Sequence, residues 1–456
     1  MLDGFANLCS GSRAGAPEER GMAEETIFAL ASGAGRAAVA VVRVSGSSAR
    51  ETLISLTGRD PEPRKAHYAR FRDPESGETL DEGLALFFPA PRSATGEDCA
   101  ELHLHGGRAV VAAALAALAR RPGLRPAEPG EFARRAFLKG KLDLSQAEAL
   151  ADLIDAETAF QRRQALRVAG GELRRKAEGW RAAIIEASAL LAAELDFSDE
   201  GDVADFDATR FEALLHPAMG EMEAALQVAP ASERLREGFH VLILGPPNAG
   251  KSTLLNALAR RELAIVSETP GTTRDLIEAH LDLSGLPVTL TDTAGLRESG
   301  DALERIGVSR ARARAGEADL ILWLSEGGET PPPPDLATQA DVLRVAAKAD
   351  ACPPPSGALA LSALSGEGID ALCAAIAARA RKALGDGGSA IVIRERHRLA
   401  IAAAARGLHE AVERGKPLEL VAEDLRLAAR ALGRITGAVD VEHLLDAVFS
   451  RLCIGK

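Results

Sequence analysis

The spacing of apolar positions changes several times along this 456-residue chain. Apolar runs such as "AVAVVRVSG" (38–46) and "GLALFFP" (83–89) predict strands within residues 22–139, where one Ala-rich run predicts a helix. From "LDLSQAEALADLIDAET" to residue 236 nearly every window has helical spacing, interrupted at "DFSDEGDVADFD". A module with mixed strand and helix signals follows over 237–385, and its proline clusters at 331 and 353 read as surface loops. Helical pattern then resumes over 386–456. Helices on both sides of the module need a common partner to bury their apolar stripes, so the pattern predicts a helical domain split by an insertion. The expected chain is multidomain, α/β and α: an α+β domain (22–139), a helical part (140–236), the inserted module (237–385) and a second helical part (386–456).

The module carries the clearest chemistry. In "GPPNAGKSTLLNAL" (245–258), Gly245, Gly250, Lys251 and Ser252 fit G-x-x-x-x-G-K-[ST]. Such a turn rings a phosphate with backbone N–H groups, here those of Asn248, Ala249, Gly250, Lys251, Ser252 and Thr253, at a helix N-terminus. Lys251 is expected to reach the β- and γ-phosphates and Ser252 to ligate Mg²⁺. The context agrees, because 239–244 suits a buried strand while Leu254, Leu255 and Leu258 form a helical stripe. Downstream, "VTLTDTAG" ends a strand in Asp292, placed to hold Mg²⁺ through water; Thr293 and Ala294 follow, and the Gly295 N–H is free to approach a γ-phosphate. Between them, Thr273 of "SETPGTTRD" can supply a second Mg²⁺ hydroxyl. These elements in this order predict an inserted Ras-like P-loop GTPase.

The guanine signal is weaker. "AAKAD" keeps Lys348 and Asp350 of an N-K-x-D motif but has Ala347 in place of asparagine. Asp350 can accept from guanine N1 and N2, and Ser362 and Ala363 of "LSALSGEG" resemble the last guanine-side motif. Leu296 stands where a Ras-like enzyme carries a water-orienting glutamine, so hydrolysis needs another group. The following stretch offers Arg297, Glu298, Asp301, Glu304 and Arg305.

Composition adds limits. The chain is 46% hydrophobic and 26% charged, which fits a globular protein with ample core, and no apolar run approaches the ~20 residues of a membrane span. A net charge of −12 argues against a generally basic nucleic-acid-binding surface. Locally, residues 108–141 hold eight Arg or Lys against two Glu, and 160–181 hold seven against two, patterns that solvated helix faces also produce. Five cysteines, at 9, 99, 352, 373 and 453, fit a reducing cytoplasm rather than a disulfide framework. Residues 1–21 lack a signal-peptide core and read as a disordered extension, with Met22 an alternative start. Cys99, Glu101, His103 and His105 share strand parity, the pattern of a metal site, although the adjoining "HGG" reads better as a strand-ending turn.

The terminal "CIGK" (453–456), joined to "GPPNAGKST", "PGTTRD" and "DTAGLRE", resembles the MnmE (TrmE) family of tRNA modification GTPases. "GRAAVAVVRVSG", "TGEDCAELHLHGG" and "PGEFARRAFLKGKLDLSQAEALADLIDA" look like that family's folate-binding domain and first helix. The resemblance implies a potassium ion held by Asn248, Ser267, Thr269 and Thr272, with Mg²⁺ on Ser252 and Thr273. It makes Glu304 the catalytic glutamate, which orients water in place of the absent glutamine. It implies a 5-formyltetrahydrofolate site at Arg43, Glu101, Lys141 and Lys456, with Cys453 close by as a catalytic or a packed residue. It further implies a cytoplasmic homodimer acting with the FAD-dependent partner MnmG on the wobble uridine of tRNA. FAD is expected on the partner, because no G-x-G-x-x-G fingerprint occurs here in strand-to-helix context. A regulatory GTPase without chemistry of its own shares the nucleotide motifs but leaves the folate-like residues and CIGK unexplained.

Overall fold

The structure, a computed structural model, describes residues 25–197, 207–261, 264–265, 277–292, 315–334, 336, 340–352, 357–385, 391–439, 442–450, 452 and 454–455. The chain divides into two units, Met1–Ala151 with Gly437–Lys456, and Asp152–Thr436.

In the first unit a six-stranded sheet has the order β3-β4-β5-β2-β1-β6. Its strands are β1 (Thr26–Leu30), β2 (Ala37–Ser45), β3 (His67–Arg72), β4 (Thr79–Phe88), β5 (Cys99–Gly106) and β6 (Leu124–Pro126). Period-two alternation sends Val42, Val44, Phe71, Ala85, Leu102 and Leu104 to one face. There they meet Leu53 and Leu56 of α1 (Ala49–Thr57) and Ala114 and Leu118 of α2 (Arg108–Ala119). The opposite face carries the cross-strand row Tyr68, Leu84, His103 and Val41, of which Tyr68 is 68% and Leu84 41% exposed. Helix α3 (Glu131–Leu138) and the start of α4 (Leu144–Asp155) follow. The last described helix, α12 (Glu442–Phe449), packs Leu445 and Phe449 against Ala133, Leu144 and Ala147. Helical periodicity continues to the end of the chain, yet α12 belongs by packing to this unit.

The second unit holds a helical bundle and a second sheet. The bundle helices are α5 (Ala159–Ala169), α6 (Glu172–Phe197), α7 (Ala208–Glu237), α10 (Glu395–Ala411) and α11 (Leu418–Thr436). Leu173, Ala177, Trp180, Ile184, Ala187 and Leu191 recur at helical spacing along α6 and are buried, as are Leu425, Ala428, Leu432 and Ile435 on α11. Helices from both sides of the nucleotide module therefore bury one another's stripes. α5 starts with a reciprocal cap, the Thr158 hydroxyl accepting from Gln161 N–H and the Gln161 side chain reaching back to the Thr158 N–H.

The second sheet has the order β13-β12-β11-β7-β10-β9-β8. β7 (Phe239–Leu244), β10 (Leu286–Asp292), β11 (Leu320–Glu326), β12 (Asp341–Ala347) and β13 (Leu359–Leu361) run parallel. β9 (Ile277–Leu283) is antiparallel to β10, and β8 (Ala264–Ile265) to β9. α8 (Lys251–Ala259) and α9 (Ile369–Leu384) bury Leu254, Leu255, Leu258, Leu372 and Ile376 against it. Each such side chain contributes about 1.5–3 kcal/mol relative to exposure. Because the five parallel strands point the same way, the loops after β7, β10, β12 and β13 leave one edge of the sheet, where α/β folds bind ligands.

Candidate functional site

The loop between β7 and α8 is shaped by its two glycines. Gly245 has φ +151°, and a Cβ there would lie 2.0 Å from the Leu324 carbonyl oxygen of β11. Gly250 adopts φ +91° at the N-terminus of α8, where the chain must turn into the helix. Asn248 also has a positive φ, +63°, uncommon for a residue with a side chain. Lys251 folds back over the loop, its Nζ donating to the carbonyls of Gly245 and Pro246 at 2.9 Å each. Asn248, Ser252 and Thr253 are exposed on the rim, Gly250 and Lys251 are half-buried, and Ala249 is buried beneath them. The N-terminus of α8, with its N–H groups and a lysine, presents positive potential to an anion.

The neighbouring strands bring the other expected residues to the same edge. Asp292 ends β10 in register with Ile243 of β7. Ala347 ends β12 beside Leu361 of β13, and Ala349 N–H donates to Leu361 O at 3.0 Å, which joins the two base-side loops. Lys348 has φ +58° and its Nζ donates to Glu326 Oε2 at 2.7 Å. Asp350 is exposed, whereas Ser362 is buried, accepts on its Oγ from Ser365 N–H at 3.3 Å, and leads into half-buried Ala363. Ala347 is 4% exposed and lies in the same apolar cluster as Ala249 and Leu361. A cleft of 310 Å³ beside the loop is lined by Pro246, Pro247 and Ala249 on one side and Glu326, Thr330 and Cys352 on the other. Neither Lys251 nor Ser252 lines it, so the cleft flanks the phosphate seat. The expected residues Ser267, Thr269, Thr272, Thr273, Thr293, Ala294, Gly295 and Glu304 lie outside the described residues, as does the side chain of Asp292.

In the first unit, strand register assembles a second cluster. Arg43 of β2 faces Glu101 of β5, and its Nε and Nη2 donate to Glu101 Oε1 at 3.1 and 2.9 Å. His103 Nε2 lies 3.3 Å from the other Glu101 oxygen, and the Arg43 guanidinium lies over the Phe132 ring at 5.9 Å. Lys141 follows α3, and its stem, with that of Lys139, closes on Gly96. Cys453 and Lys456 lie outside the described residues, but their neighbour Gly455 meets the end of β1 within the same unit.

Beneath this cluster runs a chain of charges that sequence inspection passed over. Arg125 donates to Glu131 at 2.7 and 2.8 Å, Arg135 donates to Glu131 at 2.9 Å and to Glu97 at 3.0 Å, and Ser45 Oγ donates to Glu97 at 3.1 Å. Glu131, Arg135 and Glu97 are 2%, 5% and 9% exposed. Burial pushes the Glu131 carboxyl up, but hydrogen bonds from Arg125, the Glu128 N–H and Arg135 outweigh it and hold the group below the usual carboxylate range. One signal was available in the sequence, since Glu131 and Arg135 are four apart on a helix.

The same pairing answers the local basic runs. Arg120, Arg125, Arg134 and Arg135 each meet a carboxylate, and so do Arg167, Arg174 and Lys176 in the second run. Part of each run is therefore paired in place. The metal reading of β5 also fails among the described residues, where no group of His, Cys, Asp or Glu could hold an ion. Cys99 is buried against Ser45 and Thr95, Glu101 takes Arg43, and His105 pairs with Asp81 at 2.9 Å. No described helix is long and apolar enough to cross a membrane.

Comparison with known proteins agrees with these elements. Residues 26–141 match the family model for the GTP-binding protein TrmE N-terminus, and residues 144–453 match that for the MnmE helical domain. The chain is 56% identical to a tRNA modification GTPase MnmE of Beijerinckia indica, over 95% of this chain and 96% of that one. It is 54% identical to the protein of that name in Methylorubrum populi, over 95% and 98%. The G domain of the Thermotoga maritima FeoB iron transporter overlaps 31% of this chain and 98% of that one, at 22% identity and a TM-score of 0.24, too low to carry weight beside the relatives. With a TrmE-type N-terminal domain, an MnmE helical domain and a P-loop GTPase module in one chain, the protein belongs to the MnmE family of tRNA modification GTPases.

Proposed function

We propose that this chain is a potassium-dependent GTPase that acts with an FAD-dependent partner of the MnmG kind. Together they install a carboxymethylaminomethyl or aminomethyl group on the wobble uridine of certain tRNAs, using a folate one-carbon unit. The observation that supports the GTPase half best is the β7–α8 loop, with Lys251 folded over Gly245 and Pro246 at the N-terminus of α8. There Lys251 holds the β- and γ-phosphates, the loop N–H groups hold their oxygens, and Asp350 accepts from the guanine edge.

The residues present fit the two cations. Ser252, exposed in the first turn of α8, fits a hard Mg²⁺ as an oxygen ligand, together with Thr273. Asn248, exposed on the rim, fits potassium with an amide oxygen, together with Ser267, Thr269 and Thr272. Potassium when bound supplies positive charge beside the β- and γ-phosphates, where an arginine finger acts in other GTPases. Glu304 positions the attacking water, a task that Leu296 cannot perform. Turnover of GTP in potassium and sodium buffers at matched ionic strength tests this: strong stimulation by potassium is expected, with rubidium a better substitute than sodium. Equal turnover in both salts rules it out.

The folate half rests on Arg43 and Glu101. Arg43 and Lys141 suit the carboxylates of a folate tail, Glu101 suits the donor edge of a pteridine, and Lys456 completes the set from the far end of the chain. Cys453 stands beside it as a catalytic or a packed residue. A homodimer through the first unit gains support from Tyr68 and Leu84, cross-strand neighbours exposed on one face of its sheet. Sedimentation of the intact protein, and wobble-nucleoside mass spectrometry of cells lacking it, test the assembly and the reaction. A monomer, or unchanged wobble uridines, would count against each in turn.

A further inference from the structure

Across from Ala347, at the base-side edge of the second sheet, stands a residue that none of the nucleotide motifs includes. Glu326 ends β11 in register with Ala347, the last residue of β12. Backbone ties the loops that leave these two strands. Gly327 N–H donates to Ala347 O at 3.0 Å, and a Cβ on Gly327 would lie 3.1 Å from the Cβ of Cys352. The loop after β12 is also closed on itself, since the Ala351 and Cys352 N–H groups donate to Lys348 O at 2.9 and 3.1 Å. The main chain thus fixes Lys348 in a left-handed conformation, φ +58°, uncommon for a residue with a side chain.

The main chain leaves the Lys348 side chain undetermined, and a lysine has among the most rotamer freedom to lose. Glu326 takes up that freedom, its Oε2 accepting from Lys348 Nζ at 2.7 Å. Glu326 also lines the cleft shared with Pro246 and Pro247 of the phosphate loop, so the anchor stands between the base-side and phosphate loops. We infer that Glu326 is a positioning residue for nucleotide binding: it holds the Lys348 ammonium and so presets that side chain, in a loop where Ala347 replaces the asparagine of the motif. The side chains of Lys348 and Glu326 are 40% and 56% exposed, so their pair adds little to folding. Its effect falls on binding, because a side chain ordered beforehand need not be ordered by the ligand. The inference rests on the reading of Lys348 and Asp350 as base-side residues.

The test uses the full chain and a fluorescent GDP. Glu326→Ala should weaken GDP binding about three- to fivefold, the upper span of an exposed ion pair, and the loss in turnover should fall on KM for GTP rather than on kcat. In a Lys348→Ala background the same substitution should cost less than about twofold, because the partner through which it acts is gone. Glu329→Ala, which removes another carboxylate from the same cleft, should also stay within about twofold. The thermal midpoint of the nucleotide-free protein should not move in Glu326→Ala. Unchanged GDP affinity in that variant overturns the inference, as does a loss confined to kcat. So does an equal loss in the Lys348→Ala background or in Glu329→Ala, or a lowered thermal midpoint, which would make Glu326 a requirement of folding. Asp350→Asn tests the underlying reading separately. Xanthine carries a carbonyl where guanine carries its N2 amine, so an amide in place of the carboxylate should move preference from GDP toward xanthosine diphosphate. If preference for GDP persists, the base-side reading fails on its own, and the Glu326–Lys348 comparison still decides whether one residue acts through the other.

Discussion

The β7–α8 loop of the second unit and the Arg43–Glu101 cluster of the first are built in opposite ways. The loop is one contiguous stretch whose recognition groups are mostly backbone N–H donors, aimed by two glycines at positive φ. Such donors carry no net charge, so preorganising them requires no buried ion. The cluster is assembled from β2 and β5 with Phe132 of α3 against the Arg43 guanidinium, and the same helix carries part of a buried sequence of alternating guanidinium and carboxylate groups. A buried charge of that kind is costly unless every neighbour is in place, and its value lies more in geometry than in net stability. The first design tolerates change outside its short stretch; the second is sensitive to residues distant in the chain.

The largest expected effect separates the two directly. Glu131→Gln leaves Arg135 and Arg125 short of a buried partner and should destabilise the first unit by about 3–5 kcal/mol, with GDP binding by the loop retained at temperatures where the protein stays folded. The native carboxyl titrates below its unfolded value, so its contribution is fully present above about pH 4.3 and is lost as pH falls through the lower folded value. The difference in urea midpoint between the two proteins, measured from neutral pH downward, should narrow as pH falls below about 4.3. A gap that persists undiminished would mean that the charge is not what matters at Glu131.

Glu304→Ala addresses the loop side. Loss of one positioned polar group commonly lowers turnover about 10²-fold or more, and GDP affinity should not change. Normal hydrolysis by this variant would assign water orientation to another residue. Arg43→Ala addresses the cluster: losing a charged hydrogen-bonding group should cost about 1.5–3 kcal/mol of folate affinity and leave GTP turnover intact. Calorimetry with 5-formyltetrahydrofolate reads the first quantity and phosphate release the second; a fall in both would couple sites that the comparison treats as independent.

The smallest effect sharpens the base-side loops. Ala347→Asn restores the missing amide and should tighten GDP binding by about 1 kcal/mol if it forms one ordinary hydrogen bond. The 4% exposure of Ala347 sets a condition, since an amide buried there without a partner costs as much or more. Weaker GDP binding would show that Lys348, tied to Glu326, already holds this loop in a geometry with no room for asparagine.

The sequence by itself determined the nucleotide loop, its flanking strand and helix, and the helical segments, because each is a local pattern: a glycine at a turn, a lysine at a helix start, apolar residues at a fixed period. It also supplied Lys348, Asp350 and Ser362 as a spaced series, since parallel strands of one sheet must end at the same edge. Tertiary structure alone decided that part of the basic run at 108–141 meets carboxylates, that Glu97 joins Arg135, and that α12 lies on α3. Those outcomes depend on the register between strands and on which backbone passes so close to a glycine that a Cβ there would lie 2.2 Å from a carbonyl oxygen. Nothing local encodes such pairings: the partners are far apart in the chain, and only the packed sheet brings them within reach of each other.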